Sequence, residues 1–134
     1  MWNFYTDPRH FENISPVALN ERLVRVSNNT LAQSTEIWIS TNLFFRRTWH
    51  ARIIKFEEPY EYVDKVRDRF LKKWIHRHNF ANIEDKKKTA VSDEITFEIG
   101  YGPIGWIAER FVLTKLESIF RYRASRTKDL LRTY

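Results

Sequence analysis

Leu71-Lys72-Lys73-Trp74-Ile75-His76-Arg77-His78-Asn79-Phe80 and Val91-Ser92-Asp93-Glu94-Ile95-Thr96-Phe97-Glu98-Ile99 are the segments whose reading decides the fold. Both alternate with a period of two, and they flank the charged stretch Glu84-Asp85-Lys86-Lys87-Lys88. Alternation around a polar turn predicts an antiparallel hairpin. With the turn centred on Asp85-Lys86, Trp74 falls opposite Phe97, His76 opposite Ile95, His78 opposite Asp93 and Phe80 opposite Val91. The other face pairs Lys73 with Glu98, Arg77 with Glu94 and Asn79 with Ser92. Opposite charges across a ladder are mildly stabilising, and such a row belongs in water. The first row is therefore the buried one, and it sets a histidine and an aspartate among aromatics.

Upstream of the hairpin, Tyr60 to Arg67 alternates as well. Tyr60, Tyr62, Asp64 and Val66 share the apolar face, which points Asp64 inward. For this row to join Trp74 and His76, the connection near Asp68-Arg69-Phe70 must hold an odd residue, such as a bulge. Ser34 to Phe45 (with Ile37, Trp38, Ile39, Leu43, Phe44 and Phe45) and Arg47 to Glu58 read as two further strands, the second ended by Pro59. Apolar residues on both parities leave their inward face open. Glu21 to Ser27 is a weak strand leading into the turn Ser27-Asn28-Asn29-Thr30. Trp2 to Asp7 reads as a short helix stopped by Pro8, and Phe11 to Leu19 as a helical turn interrupted by Pro16.

Downstream, all three glycines fall within Gly100-Tyr101-Gly102-Pro103-Ile104-Gly105, where the chain must turn from strand into helix. Beyond Gly105, helix formers continue to Arg132 without glycine or proline. On a helical wheel Val112, Leu116, Ile119, Phe120, Thr127, Leu130 and Tyr134 gather on one face, with Arg110, Glu117, Arg121, Lys128 and Arg132 opposite. Such a helix is about 40 Å long, enough to cross a small sheet. Short helices, a run of antiparallel strands and one long C-terminal helix predict a single α+β domain over residues 1–134, its curved sheet gripping the helix.

The chain has 134 residues, 43% hydrophobic and 16% aromatic, sufficient for a substantial core. It has no cysteine, which excludes disulfides, thiolate metal sites and cysteine nucleophiles. No signal peptide and no transmembrane segment are visible, and a cytoplasmic protein is expected. The formal charge of +6 permits contact with nucleic acid or an anionic membrane, but the seventeen acids are interspersed with the bases. Lys86-Lys87-Lys88 reads as a solvated hairpin tip, no specific nucleic-acid partner is expected, and peripheral membrane contact stays open.

Tyr62-Val63-Asp64, Trp74-x-His76-x-His78-x-Phe80, Ser92-Asp93 followed by Phe97, Gly102-Pro103-Ile104-Gly105 and Ile119-Phe120-x-Tyr122-Arg123 together resemble the SRPBCC superfamily. This is the helix-grip fold of START domains, Bet v 1-like allergens, polyketide cyclases and ubiquinone-binding Coq10-like proteins. The chain most resembles the bacterial cyclase/dehydrase-like branch, over nearly its whole length. The resemblance implies a cavity between the sheet and the C-terminal helix that takes a small hydrophobic or lipid-like ligand. It also implies an N-terminally truncated domain, because the family opens with a strand ahead of its short helices. That first strand is expected to be missing, leaving two open edges. A second departure is Arg69-Phe70, where the family has a Gly-Pro turn.

The residues expected to line the ligand site are Tyr62, Asp64, Trp74, His76, His78, Asp93, Phe97, Phe120 and Arg123. His76 and His78, two apart on one strand face, offer two metal ligands, with His50, Asp64 or Asp93 as the third. No spacing rule selects among these, so core or cavity histidines are preferred, and neither a metal nor a cofactor is expected. Asp93 opposite His78 is either an acid–base pair or a buried polar pair that holds register; the second is preferred. A non-catalytic binding protein is thus expected ahead of a cyclase or dehydratase using His76, His78 and Asp93, and ahead of a basic RNA- or membrane-surface module. Arg123 lies on the apolar helix face between Phe120 and Thr127, where an unpaired guanidinium is costly. It is expected to reach Asp64 or Asp93, with His76 or His78 completing the network.

Overall fold

The computed structural model describes residues 1–132 apart from Phe44 and Lys86. The expectations that fall on those two residues and on Tyr134 lie outside the described residues. Two short helices, α1 (Trp2–Tyr5) and α2 (Phe11–Ile14), precede strands β1 (Arg22–Val26), β2 (Glu36–Thr41), β3 (Arg47–Glu57), β4 (Glu61–Arg67), β5 (Lys73–Ile83) and β6 (Lys88–Glu98). Helix α3 (Gly102–Arg132) ends the described chain. The fold is α+β: an open, curved six-stranded antiparallel sheet in the order β1-β2-β3-β4-β5-β6, followed by the long helix. Among the described residues no helix is long and apolar enough to cross a membrane.

The β5–β6 hairpin has the predicted register throughout, with Trp74 opposite Phe97, His76 opposite Ile95, His78 opposite Asp93 and Phe80 opposite Val91. The backbone turns at Glu84 and Asp85, which take left-handed φ of 49° and 52°. The outer charge row is wired differently from the expectation. Arg77 faces Glu94 across the ladder, but its guanidinium donates to Glu61 of β4 at 2.6 Å. Lys73 likewise lies opposite Glu98 as expected, while the ion pair to Glu98 is made by Lys72 at 3.2 Å.

Between β4 and β5, Asp64 lies opposite His76 and Tyr62 opposite His78. The bridge Asp68–Leu71 nearer the turn is one residue out of step with that ladder, which supplies the odd residue the parity demanded. Tyr60 is not on the inward face; β4 begins at Glu61, and Tyr60 stands exposed in the preceding turn. Register shifts between Leu23 and Arg25 and between Ile53 and Lys55 bend the far side of the sheet.

The inward parity of β2 and β3 is Ile37, Ile39 and Thr41 against Ala51, Trp49 and Arg47. The opposite face is also partly apolar for a specific reason. Trp38 stacks on His50 (4.5 Å, 5° between planes), Arg25 lies over the same indole at 5.0 Å, and His50 meets Glu36 at 3.1 Å. A small aromatic–polar cluster thus covers the back of the sheet.

Helix α3 lays Val112 and Leu116 on Ala51, Val66 and Trp74, and Ile119 on Leu19 and Leu43. A second cluster of Leu31, Ile53, Tyr62 and Phe80 packs under Trp2 and Tyr5 of α1. The helix starts where three consecutive residues, Gly100, Tyr101 and Gly102, all have positive φ. A Cβ on Gly105 would collide with the Gly100 carbonyl, so glycine is required for this close approach. Sheet packing begins at Val112; Ile104, Trp106, Ile107 and Phe111 ahead of it are exposed.

Candidate functional site

Four chemically active side chains meet on the inward face of β4, β5 and β6. Ladder pairing places Asp64 beside His76 on one side of β5, and Asp93 beside His78 on the other. Neighbouring strands lie only about 4.8 Å apart, and residues two apart on one strand share a face, so the four form a compact block. The imidazoles of His76 and His78 lie face by face at a tilt of 31°, with centroids 3.7 Å apart. The shortest contacts run diagonally: His76 Nε2 donates to Asp93 Oδ1 at 2.8 Å, and His78 Nε2 donates to Asp64 Oδ2 at 2.8 Å. The second nitrogens face the remaining acids, His76 Nδ1 at 3.9 Å from Asp64 Oδ2 and His78 Nδ1 at 3.3 Å from Asp93 Oδ1. Each histidine is therefore within reach of both carboxylates.

The environment sets the charges. Burial, and next the adjacent His78, push the His76 pKa below its usual value against the pull of Asp93 and Asp64. Burial acts in the same direction on His78, but hydrogen bonds to Asp64 and Asp93 outweigh it and its pKa is raised. Burial alone would raise the Asp93 carboxyl; the hydrogen bonds from His76 and His78 overcome it and hold that group well below the carboxylate range. Although β6 is an edge strand with an open backbone, the Asp93 side chain points inward and is only 26% exposed. Aromatic rings hold the imidazoles in place: Tyr62 stacks on His78 at 4.1 Å, and Phe120 of α3 meets His76 edge-on at 5.2 Å. The Tyr62 hydroxyl is fully desolvated, which raises its pKa well above that of a free tyrosine.

This block forms the polar end of a cavity of about 280 Å³ between the sheet and α3. Most of the remaining wall is apolar, with Leu31, Ile37, Trp49, Ile53 and Trp74 from the sheet side and Leu116 and Phe120 from the helix. Of the residues expected at the site, Tyr62, Asp64, Trp74, His76, His78, Asp93, Phe120 and Arg123 line this cavity. Phe97 does not; it packs beside Trp74, 5.7 Å between centroids, in the cluster under Leu116. His50, once a candidate third ligand, is on the back of the sheet with Glu36 and cannot join His76 and His78.

Arg123 enters the cavity wall but does not pair with Asp64 or Asp93. Its Nη2 donates to Glu21 Oε1 at 2.7 Å, and the guanidinium lies between the rings of Phe11 (4.9 Å) and Phe120 (5.3 Å). The pair is largely buried, at 17% and 8% side-chain exposure. Glu21 immediately precedes β1, placed there by the left-handed Asn20 (φ 43°) and by Asn42 N–H donating to Leu19 O. Sequence reasoning missed Glu21, Leu23, Ile37, Trp49, Ala51 and Ile53 as cavity residues. The i, i+2 spacing of Glu21 and Leu23 at the start of β1 was the available signal, since both line the cavity.

Chemically, the four-residue block offers hydrogen-bond acceptors. Asp64 uses Oδ2 and Asp93 Oδ1 in the contacts above, so each has a second oxygen for a ligand hydroxyl. The ring nitrogens all face carboxylates, which suits orientation of a ligand better than proton abstraction from it. The chain matches no model of a known protein family, no curated protein and no solved structure.

Proposed function

We propose that the chain is a helix-grip domain that binds, without chemical conversion, a small apolar molecule carrying a hydroxyl or carbonyl group. The observation that carries this reading is the cavity of about 280 Å³, apolar over most of its wall, with Asp64, His76, His78 and Asp93 gathered in one part of it. That is close to the roughly 300 Å³ lower bound of small-molecule pockets, which typically combine aromatic walls with a few convergent polar groups. Asp64 and Asp93 orient the polar end of the ligand, and Tyr62, Trp74 and Phe120 enclose its body. The resemblance in the motifs around Trp74-x-His76-x-His78 supports the same reading.

Two measurements test it together. Native mass spectrometry of the protein as purified is expected to show one bound apolar molecule. After delipidation, anilinonaphthalene sulfonate is expected to bind saturably at one site per chain. Filling the cavity with Ala51→Leu, behind Trp74 and Leu116, should weaken dye binding at least several-fold. A protein that purifies empty and takes up the dye only non-saturably is not a cavity binder.

A further inference from the structure

We propose that Asp64, His76 and His78 form a site for a divalent first-row transition-metal ion at the polar end of the cavity, with Asp93 orienting both imidazoles. The donor set is two imidazoles and a carboxylate, which suits zinc, cobalt, nickel and iron better than magnesium or calcium. One donor atom from each of the three residues lies within 4.8 Å of the others. The converging atoms are Asp64 Oδ2, His78 Nε2 at 2.8 Å from it, and His76 Nδ1 at 3.9 Å from it. Around an ion about 2.1 Å from each donor, donor pairs are about 3.0 Å apart at a right angle and about 4.2 Å apart when opposed. The separations of 2.8 and 3.9 Å need only small shifts to meet those limits.

The surroundings match what a metal-bound imidazole needs. Such a ring donates its other N–H to a carboxylate, which fixes its tautomer. His76 already does so, Nε2 to Asp93 at 2.8 Å, leaving Nδ1 turned toward Asp64. His78 Nδ1 is buried 3.3 Å from Asp93 Oδ1, a longer contact than the 2.8 Å that Nε2 makes to Asp64. An ion on His78 Nε2 displaces the proton now shared with Asp64. A proton on Nδ1 then completes the bond to Asp93, and any surplus proton leaves to solvent.

Charge points the same way. Among the described residues no lysine or arginine pairs with Asp64 or Asp93, and the guanidinium in the cavity wall is engaged by Glu21. Two inward carboxylates beside an apolar cavity thus lack a fixed cation, and a dication supplies it. The ligands sit on paired strands and are held by Tyr62 and Phe120, so the site is rigid. Three protein ligands leave at least one coordination position, where an oxygen of the cavity's ligand would bind. That last point rests on the proposed ligand-binding function; the metal site itself does not.

The experiment is calorimetric titration of the chelator-stripped 134-residue chain with zinc chloride alone, repeated with cobalt chloride while the visible spectrum is followed. One ion per chain is expected, with cobalt bands of a nitrogen–oxygen site. His78→Gln should weaken zinc binding by about 100-fold or more, and Asp93→Asn by about 10- to 100-fold through the imidazoles it orients. His50→Gln, on the back of the sheet, should leave it unchanged. Should His78→Gln fail to fold, Asp93→Asn and the wild-type stoichiometry still decide. Absence of saturable uptake by wild type overturns the proposal, as does uptake lost in His50→Gln but kept in folded Asp93→Asn. No organic ligand is present, so failure here leaves the cavity reading standing, and failed dye binding leaves the metal site standing.

Discussion

Two charged groups line the same cavity and are built in opposite ways. The Asp64–His76–His78–Asp93 block comes from three adjacent strands, its members fixed by ladder register. The Arg123–Glu21 pair joins the middle of α3 to the segment before β1, across 102 residues. The first is redundant, since each imidazole reaches both carboxylates. The second has one short charged contact, so removing either member strands the other in a largely desolvated place. A buried ion pair adds little net stability while intact and is costly once broken, because the desolvation of the survivor is no longer compensated. Redundancy, more than burial, should therefore separate the two.

The largest effect is expected from Arg123→Met, which leaves the Glu21 carboxylate buried without its cation and should cost about 3 kcal/mol or more in urea unfolding. A loss below about 0.5 kcal/mol, the size of a surface substitution, would break the comparison. The double variant Arg123→Met with Glu21→Leu sharpens it. Replacing both partners by apolar groups should recover most of that loss, since the pair is expected to be close to neutral overall.

Glu21→Gln comes next. It retains an acceptor for Arg123 Nη2, and Phe11 and Phe120 still cover the guanidinium, so a loss of about 2 kcal/mol is expected. In the redundant block, Asp93→Asn keeps an oxygen for His76 and leaves Asp64 in place, and about 1 kcal/mol is expected. A larger loss for Asp93→Asn than for Glu21→Gln in the same titration would reverse the ranking. The smallest change should follow Lys72→Ala, whose pair with Glu98 is exposed on both sides; less than about 0.5 kcal/mol is expected.

The strand block was legible because each step uses short-range geometry. Period-two alternation puts His76 and His78 on one face, and a turn at Asp85 sets the register that brings Asp93 to His78. One extra residue near Asp68 then carries Asp64 to His76. Where a second force competes, the pattern misleads. Hydropathy left the inward face of β2 open because Trp38 is as apolar as Ile37 and Ile39; its stacking with His50 and Arg25 satisfies it on the back of the sheet. Arg77 faces Glu94 in register, but its long side chain reaches Glu61 on the other neighbouring strand. Phe97 has the right parity for the cavity, yet lies beside Trp74 in the core under Leu116.

By itself, then, the sequence determined the α+β order of elements, the β5–β6 register, the inward row of Asp64, His76, His78 and Asp93, and the buried face of α3 at Val112, Leu116 and Ile119. These follow from backbone periodicity and the burial of one face, and both operate over a few residues. Only the tertiary structure decided which acid meets Arg123, where the cavity lies, and which faces of β2 and β3 look into it. Those depend on how α3 and the segment around Leu19 to Leu23 pack over the sheet. That packing is set by the summed fit of side chains far apart in the chain, for which no local period exists.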